Sequence, residues 1–438
     1  MGIFSTKGRV HVPGFKHLST EQSLLVLPSP ELVRLPIVGP NGLEFEILVK
    51  TGDHVKIGTL IARRKDFPVP LYSPVSGEVE NVEMRFHAGL GRPVKHLVIM
   101  NDKNDERETL MHLIVGENPT QTAIVEAIKE AGIIGMGGAG FPTYVKYLNC
   151  KEMDAILLNG IECEPYLTTD FLMMQSEQEW LLKGAEFLRL AANAKRIVIA
   201  IKRGKEAVKS ALSGILPNYP LVKLVEVPDV YPMGWERSLV KEVFHKEYNK
   251  FPAEIGVVVN NVQTAAAVGR ALCNGEIVTS RVLTVSGNAI DTNRNVRATI
   301  GTLASDVLTA VGGYQAGVEA VSLIAGGPMS SKAQLNDSFV ITPVVNGLTV
   351  LKRVEWKAEP CLRCGDCTLA CPAHLQPVEI KNAVEEKNTE RIMTLDVNAC
   401  VECGLCSYVC PSKIEVMEAV KKAKIQLKIA QAKANLGK

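Results

Sequence analysis

The chain has 438 residues, 46% hydrophobic, 22% charged and 5% aromatic, with 49 Lys plus Arg against 47 Asp plus Glu. At roughly 100–200 residues per domain this length holds two to four domains, and the composition excludes bulk disorder, collagen and coiled-coil fibres. A formal charge of +2 leaves no basic footprint for nucleic acid, and no apolar run approaches the ~20 residues of a membrane span.

The opening residues, MGIFSTKGRV, lack the apolar centre of a secretory signal, which points to a soluble chain that stays inside the cell. Gly2 and Thr6 match the myristoylation pattern, but a pattern this short arises by chance. Residues 1–115 read as a β domain. The segments ILVKTGDHVKIGTLIA (47–62) and LYSPVSGEVENVEM (71–84) each alternate apolar and polar residues around a Gly turn, the period of half-buried strands. They resemble the two halves of a barrel-sandwich domain of the biotinyl or lipoyl type. A swinging arm needs a modifiable Lys at the connecting hairpin. Lys65 is the nearest, but its context ARRKDFP lacks the neighbours of such carriers, so a purely structural β domain is expected.

Residues 116–253 have an α/β texture. PTQTAIVEAIKEAG repeats apolar residues at helical spacing from Pro119 to Gly132, a capped helix. Strands are predicted at 155–160 and 196–202 with a helix at 180–193 between them, an order that implies parallel pairing and a ligand at the strands' C-terminal ends. Residues 254–352 return to short strands (IGVVVNN, SRVLTVSG, VSLIAGGPM) with a helix near 302–312, read as a small α+β module. The cysteine clusters occupy 353–413. The tail, 414–438, reads as one exposed helix with six Lys after Met417 and only Glu418 as an acid. Such a helix suits either a membrane surface or acidic partner, or simply solvent.

Eight of the eleven cysteines lie between 361 and 410. They form Cys361-x2-Cys364-x2-Cys367-x3-Cys371-Pro and Cys400-x2-Cys403-x2-Cys406-x3-Cys410-Pro. In a tandem of this kind the CxxCxxC loop supplies three thiolates to one cubane, and the cysteine before Pro supplies the fourth to the other. Cluster one is therefore expected on Cys361, Cys364, Cys367 and Cys410, and cluster two on Cys400, Cys403, Cys406 and Cys371. Zinc sites favour paired CxxC or His ligands instead. Two [4Fe–4S] clusters imply electron transfer.

A second motif is Gly135-Met-Gly137-Gly138-Ala-Gly140-Phe141-Pro, with Lys146 following. Glycines let backbone amides approach a phosphate, and a Lys can neutralise it. The motif follows a helix rather than a strand, so it departs from the Rossmann fingerprint; a structural Gly-rich turn is the alternative. Asn159-Gly-Ile-Glu162-Cys-Glu164-Pro and Asn260-Asn261-Val-Gln-Thr264 each follow an apolar strand, where carboxylates and amides can bind hydroxyls, a ring or a phosphate.

Taken together these motifs resemble the C subunit of the Rnf complex, a membrane-bound ion-translocating ferredoxin:NAD oxidoreductase. GRVHVPGFKHLST, GGAGFPT, NGIECEPYLTTD, YPMGWE, NNVQT, IAGGPM and CVECGLCSYVCPSKI fall in family order over residues 7–420. The middle part is similar to the flavin-carrying NADH-oxidising subunit of respiratory complex I. The resemblance implies a multidomain α/β plus β fold: a barrel-sandwich domain, an FMN/NADH-binding α/β domain, a β-grasp-type (SLBB) module and a two-cluster ferredoxin-like domain. It implies that Gly135, Gly137, Gly138, Gly140 and Lys146 hold the phosphate of non-covalent FMN, with Asn159, Glu162, Asn260, Asn261 and Thr264 around the flavin. Phe141 and Glu164 would meet NADH, and Tyr231, Gly234 and Glu236 would complete the wall. Met136, Ile161 and Trp235 depart from the complex I pattern, and Trp235 is bulky for a nucleotide site. The implied setting is peripheral, on the cytoplasmic face of a bacterial or archaeal plasma membrane, beside integral membrane and ferredoxin-type subunits. Related alternatives are a cobalamin reductase, an amino-acid reductase component, or a wiring subunit without an NADH site.

Overall fold

A computed structural model describes residues 10–116 and 118–436, so Gly2 and Thr6 lie outside the described residues. The alternating segments near the N-terminus form two antiparallel sheets. One orders the strands Leu32–Pro36, Arg92–Asn101, Gly77–His87 and His54–Val55; the other orders Phe45–Ile47, Leu60–Arg64 and Pro70–Tyr72. Their inward positions (Val33, Leu35, Val55, Ile61, Leu97, Ile99) fill one core, and a register shift between Val79 and Asn81 lets the longest hairpin bend. Lys65 is exposed on the turn after Leu60–Arg64, beside the Arg64–Asp66 ion pair of 2.6 Å.

The central domain is a parallel sheet ordered Val222–Val227, Arg196–Lys202, Ala155–Asn159, Val257–Asn261. Strand alternation sends Ile156 and Leu158 into a core with the helices Gln121–Glu130, Gln178–Ala191 and Val262–Asn274. Ala155 and Leu157 enter the opposite core with Leu239 and Val240 of the helix Glu236–Phe244. A sheet covered on both faces explains why its strands read as continuous apolar runs. The strand Val257–Asn261 pairs in parallel with Ala155–Asn159. It and its following helix therefore belong to this domain, and the boundary expected at 254 moves beyond Asn274.

The next module is a six-stranded mixed sheet with the helix Ala304–Ala310 against it. One edge is Leu25–Val26, paired with Val296 and Arg297; this strand therefore packs outside the N-terminal β domain in which its position in the chain places it. In the cysteine segment each CxxCxxC loop leads into a short helix, Asp366–Leu369 or Leu405–Tyr408. The helix Val416–Leu436 is not the exposed tail that its lysines suggest. Val420, Ala423 and Leu427 are buried with Cys371, Ile380, Ile392 and Val397, and Lys424 donates to the Cys400 carbonyl at 2.7 Å. The lysines share the helix with an apolar stripe that only the cysteine fold reveals. Among the described residues no helix is long and apolar enough to cross a membrane.

Candidate functional site

In chain order the sheet grows outward from Ala155–Asn159 in one direction, then returns to its other side with Val257–Asn261. The crevice between those two C-terminal ends is the topological switch point, where open α/β sheets bind ligands. Asn159 and Asn261 are register partners there. Asn159 donates to the Gly234 carbonyl at 2.7 Å and accepts from the Ile161 amide. Asn261 accepts from the Gln263 amide, capping its helix, and donates to Asp170 at 2.8 Å.

The glycine loop closes on itself above this crevice: Gly135 N–H donates to Phe141 O at 2.7 Å, and Gly140 N–H to Gly135 O at 3.1 Å. It is fixed from beneath at Met136, whose amide donates to Thr264 Oγ1 and whose carbonyl accepts from Arg281. Gly137, Gly138 and Ala139 are exposed. Gly140 has φ +61°, and a Cβ there would come within 2.7 Å of Pro40; only Gly allows the loop to sit against the N-terminal domain.

Lys146 donates to the Val259 carbonyl at 2.6 Å. Burial lowers its pKa, while the Glu236 carboxylate opposes that shift. Next to it Asn260 donates to the Tyr147 hydroxyl at 2.5 Å, but Asn260 Oδ1 and Thr143 Oγ1 are buried without a partner. Orphaned buried polar atoms are rare and call for a missing group. With the exposed glycine amides and a cation alongside, these residues fit a polar, phosphate-bearing cofactor such as FMN.

Other predicted site residues are occupied internally. Glu162 accepts from Thr169 Oγ1 at 2.9 Å and from the Asp170 amide at 3.0 Å, at the start of the helix Thr169–Ser176. Glu164 accepts from the Met329 amide and the Ser330 hydroxyl, so it reaches a nucleotide only when that turn moves; burial raises its pKa. Glu236 accepts from the Tyr248 hydroxyl at 2.9 Å. Tyr231 turns its hydroxyl to the Cys403 carbonyl at 2.7 Å, toward the cysteine segment. Trp235 packs in the same contact with Tyr231, Cys403 and Leu405.

Sequence reasoning missed Lys16, Asp170 and Arg281, although the first two lie inside quoted motifs. Lys16 donates to the carbonyls of Glu162, Glu164 and Leu167, pinning the acidic turn from the N-terminal segment; burial lowers its pKa to about 8. Arg281, fully buried, donates to Gln263 Oε1 and to the Met136 carbonyl. Its guanidinium partly offsets the burial that raises Asp170 to about 6. No local pattern marks a lone Lys or Arg as the support of a loop over a hundred residues away.

Cys371, Cys400, Cys403 and Cys406 line one small cavity with Leu375, Leu405 and Val420. Among the described residues no group of three or more His, Cys, Asp or Glu side chains converges on a single ion. Four thiols around a void suit a polynuclear cluster. Burial pushes the Cys403 thiol up to about 12. Amides of Glu402 and Leu375 point at Cys400 and Cys371 sulfurs, each at 3.4 Å. Cys361 and Cys364 are exposed, Cys367 and Cys410 half-buried.

A nucleotide-type switch point bonded to a cysteine-cluster segment characterises one class of protein, the flavin- and iron–sulfur-dependent electron-transfer oxidoreductases. Residues 4–104 match the RnfC barrel sandwich hybrid domain, 128–270 the Nuo51 FMN-binding domain and 360–414 the 4Fe-4S dicluster domain. The C subunit of the ion-translocating oxidoreductase complex of Rhodobacter capsulatus is 35% identical over 88% of this chain and 76% of its own length. The C subunit of the proton-translocating ferredoxin:NAD(+) oxidoreductase complex of Clostridium ljungdahlii is 33% identical, covering 85% and 83%. Its Na(+)-translocating counterpart from Acetobacterium woodii is also 33% identical, covering 85% and 86%. The chain belongs to this family, the C subunits of Rnf-type ion-translocating oxidoreductase complexes.

Proposed function

We infer that the chain exchanges hydride between NADH and bound FMN and passes single electrons through two [4Fe–4S] clusters to partner subunits of a ferredoxin:NAD oxidoreductase complex. The observation that carries this reading is the bond from Tyr231 to the loop of the inner cysteine quartet, which couples the switch-point domain to the metal segment. When bound, FMN supplies a centre that takes up hydride and releases electrons one at a time.

The chain's residues bind and position. Gly137 and Gly138 amides would face the phosphate, with Gly135 and Gly140 shaping the turn and Lys146 neutralising charge. Asn159, Glu162, Asn260, Asn261 and Thr264 would line or support the rest of the flavin site, and Gly234 and Glu236 its wall. Phe141 would be the exposed contact for the nicotinamide nucleotide, with Glu164 joining it once released from Ser330. Tyr231 serves the neighbouring cluster instead. Cluster two, on Cys371, Cys400, Cys403 and Cys406, would stand next to the flavin; cluster one, on Cys361, Cys364, Cys367 and Cys410, would face the partner, since Cys361 and Cys364 are exposed. The six-stranded sheet would be the SLBB-type module, and the subunit would lie peripherally on the cytoplasmic face, where NADH is found.

Rapid mixing of the purified holo-chain with NADH tests this. Flavin bleaching followed by reduction of the cluster absorbance is expected. Intact FMN that NADH does not bleach would refute it.

A further inference from the structure

We propose that Lys16 is a positioning residue for hydride transfer: its three N–H groups hold the turn 162–167 in the shape that the switch-point site needs. The inference rests on the NADH reading above and extends it to the N-terminal segment, outside the FMN-binding match at 128–270.

Lys16 Nζ donates to the carbonyls of Glu162 at 2.9 Å, Glu164 at 2.7 Å and Leu167. An ammonium has three donors and no acceptor, so its whole capacity is spent on one turn. The turn needs that support. Glu162 and Tyr166 both lie in the left-handed region, at φ +40° and +68°, where a residue with a Cβ stays only when its surroundings fix it. The neighbours of Lys16 grip the same residues. The Tyr166 amide donates to the Gly14 carbonyl at 2.7 Å, and its ring stacks on Phe15 with 4.8 Å between centres and 12° between planes. Ser19 Oγ lies 2.8 Å from Thr168 Oγ1. Further back, Val10 exchanges backbone bonds of 3.1 and 2.8 Å with Tyr231. One N-terminal strap thus fixes the acidic turn relative to the cysteine junction, with Lys16 entering the turn itself.

The turn follows closely on Asn159 at the switch point, and Cys163 within it packs on Gly234, where a Cβ would lie 2.8 Å from the sulfur. Hydride transfer needs its reacting atoms about 3–3.5 Å apart, and a displacement of about 1 Å can cost roughly 100-fold. An electron passes between centres that are not in contact and tolerates such a displacement. The ammonium also titrates. Burial lowers its pKa to about 8; Glu162 and Cys163 oppose that shift, while Lys202 and Lys205 add to it. Lys16, Glu162, Lys202 and Lys205 share a small cavity with Gly160 and Ile201, at the C-terminal ends of the strands Ala155–Asn159 and Arg196–Lys202. Lys202 is paired with Asp229 at 2.5 Å, and burial holds the Cys163 thiol up at about 11. Once Lys16 is neutral it has two hydrogens for three carbonyls, and the third carbonyl faces a lone pair.

The test uses Lys16→Met. In the flavin-depleted chain, amide hydrogen exchange over 162–168 should rise while iron content is retained. The holo-chain should keep its flavin, because the glycine loop and Lys146 lie on another segment. Flavin bleaching at saturating NADH should slow about 100-fold, whereas reduction of the flavin by dithionite should keep its rate. In wild type, bleaching should slow as the pH rises through about 8; in Lys16→Met it should be slow on both sides. Unchanged amide exchange, bleaching at the wild-type rate, equal slowing with dithionite, loss of flavin, or the wild-type pH profile in the variant would each overturn the proposal. A wild-type chain that NADH does not bleach would sink the functional reading; amide exchange in the flavin-depleted chain still shows whether Lys16 holds the turn, which separates the two failures.

Discussion

Tyr231 and Cys403, 172 residues apart, are joined by a 2.7 Å hydrogen bond from the tyrosine hydroxyl to the cysteine carbonyl, and both residues are buried. The bond ties the switch-point domain to the inner cysteine loop. Beside it, a Cβ on Gly404 would lie 2.2 Å from the Met329 carbonyl, so three parts of the chain meet there without room for a side chain. Removing the hydroxyl leaves a buried carbonyl short of a donor, at about 1–3 kcal/mol. Tyr231→Phe should leave flavin bleaching by NADH unchanged and slow the appearance of reduced clusters. Stopped-flow at flavin and cluster wavelengths reads both; equal slowing of the two phases would contradict a role at the junction.

Crossed ligation predicts which cysteines share a phenotype. Cys371 lines the cavity of the second triplet although its own motif begins at Cys361. Cys371→Ala should therefore reproduce the iron loss and electron paramagnetic resonance spectrum of Cys400→Ala, and Cys410→Ala those of Cys361→Ala. The opposite pairing would show that each motif closes its own cluster.

Lys146 is poised by the Val259 carbonyl beside two buried polar atoms without partners. A hydrogen bond to a charged group contributes about 1.5–3 kcal/mol, so Lys146→Met should weaken FMN binding about 10–150-fold. Lys146→Glu should weaken it further by placing like charge near the phosphate. Fluorescence titration of the flavin-depleted chain measures both, and an undiminished affinity would move the phosphate elsewhere.

The C-terminal helix holds the inner cysteine loop as well as facing solvent. Lys424 binds the Cys400 carbonyl and Glu402, each at 2.7 Å, and Leu427 is 6% exposed. Truncation before Glu418 should lower iron content, with the cluster on Cys400 lost first. A truncated chain with full iron and unchanged thermal stability would return the helix to the status of solvated surface.

Two histidines are expected to make the N-terminal domain acid-sensitive. Burial, then His96 nearby, lowers His87 to about 4, and burial also lowers the pKa of His96, whose Nε2 has no partner. Between the ordinary value of 6.5 and about 4 the unfolded chain binds more protons than the folded one, so stability falls as pH drops through that window. Above it the contribution is fully present. For His87 the loss is at most about 3 kcal/mol. Hydrogen exchange of the strands Gly77–His87 and Arg92–Asn101, corrected for intrinsic rates, should report it, and His87→Gln should flatten the dependence. An equally steep dependence in that variant would exclude His87 as the source.

Features that depend on neighbours along the chain were legible in the sequence alone. The two cysteine tandems, the glycine run and the alternation at 47–62 and 71–84 each encode a local geometry, whether the reach of a thiolate, the close approach of an amide or the pleat of a strand. Tertiary structure alone decided where long side chains spend their polar ends. Glu164 went to Ser330 and Tyr231 to Cys403, and Lys16 serves three carbonyls of the 162–167 turn. It also placed Val257–Asn261 in the parallel sheet and buried one stripe of the lysine-rich helix. The reason is physical: a buried carboxylate, phenol or ammonium must find a partner, and its partner here lies more than a hundred residues away, where no spacing within either motif can indicate it.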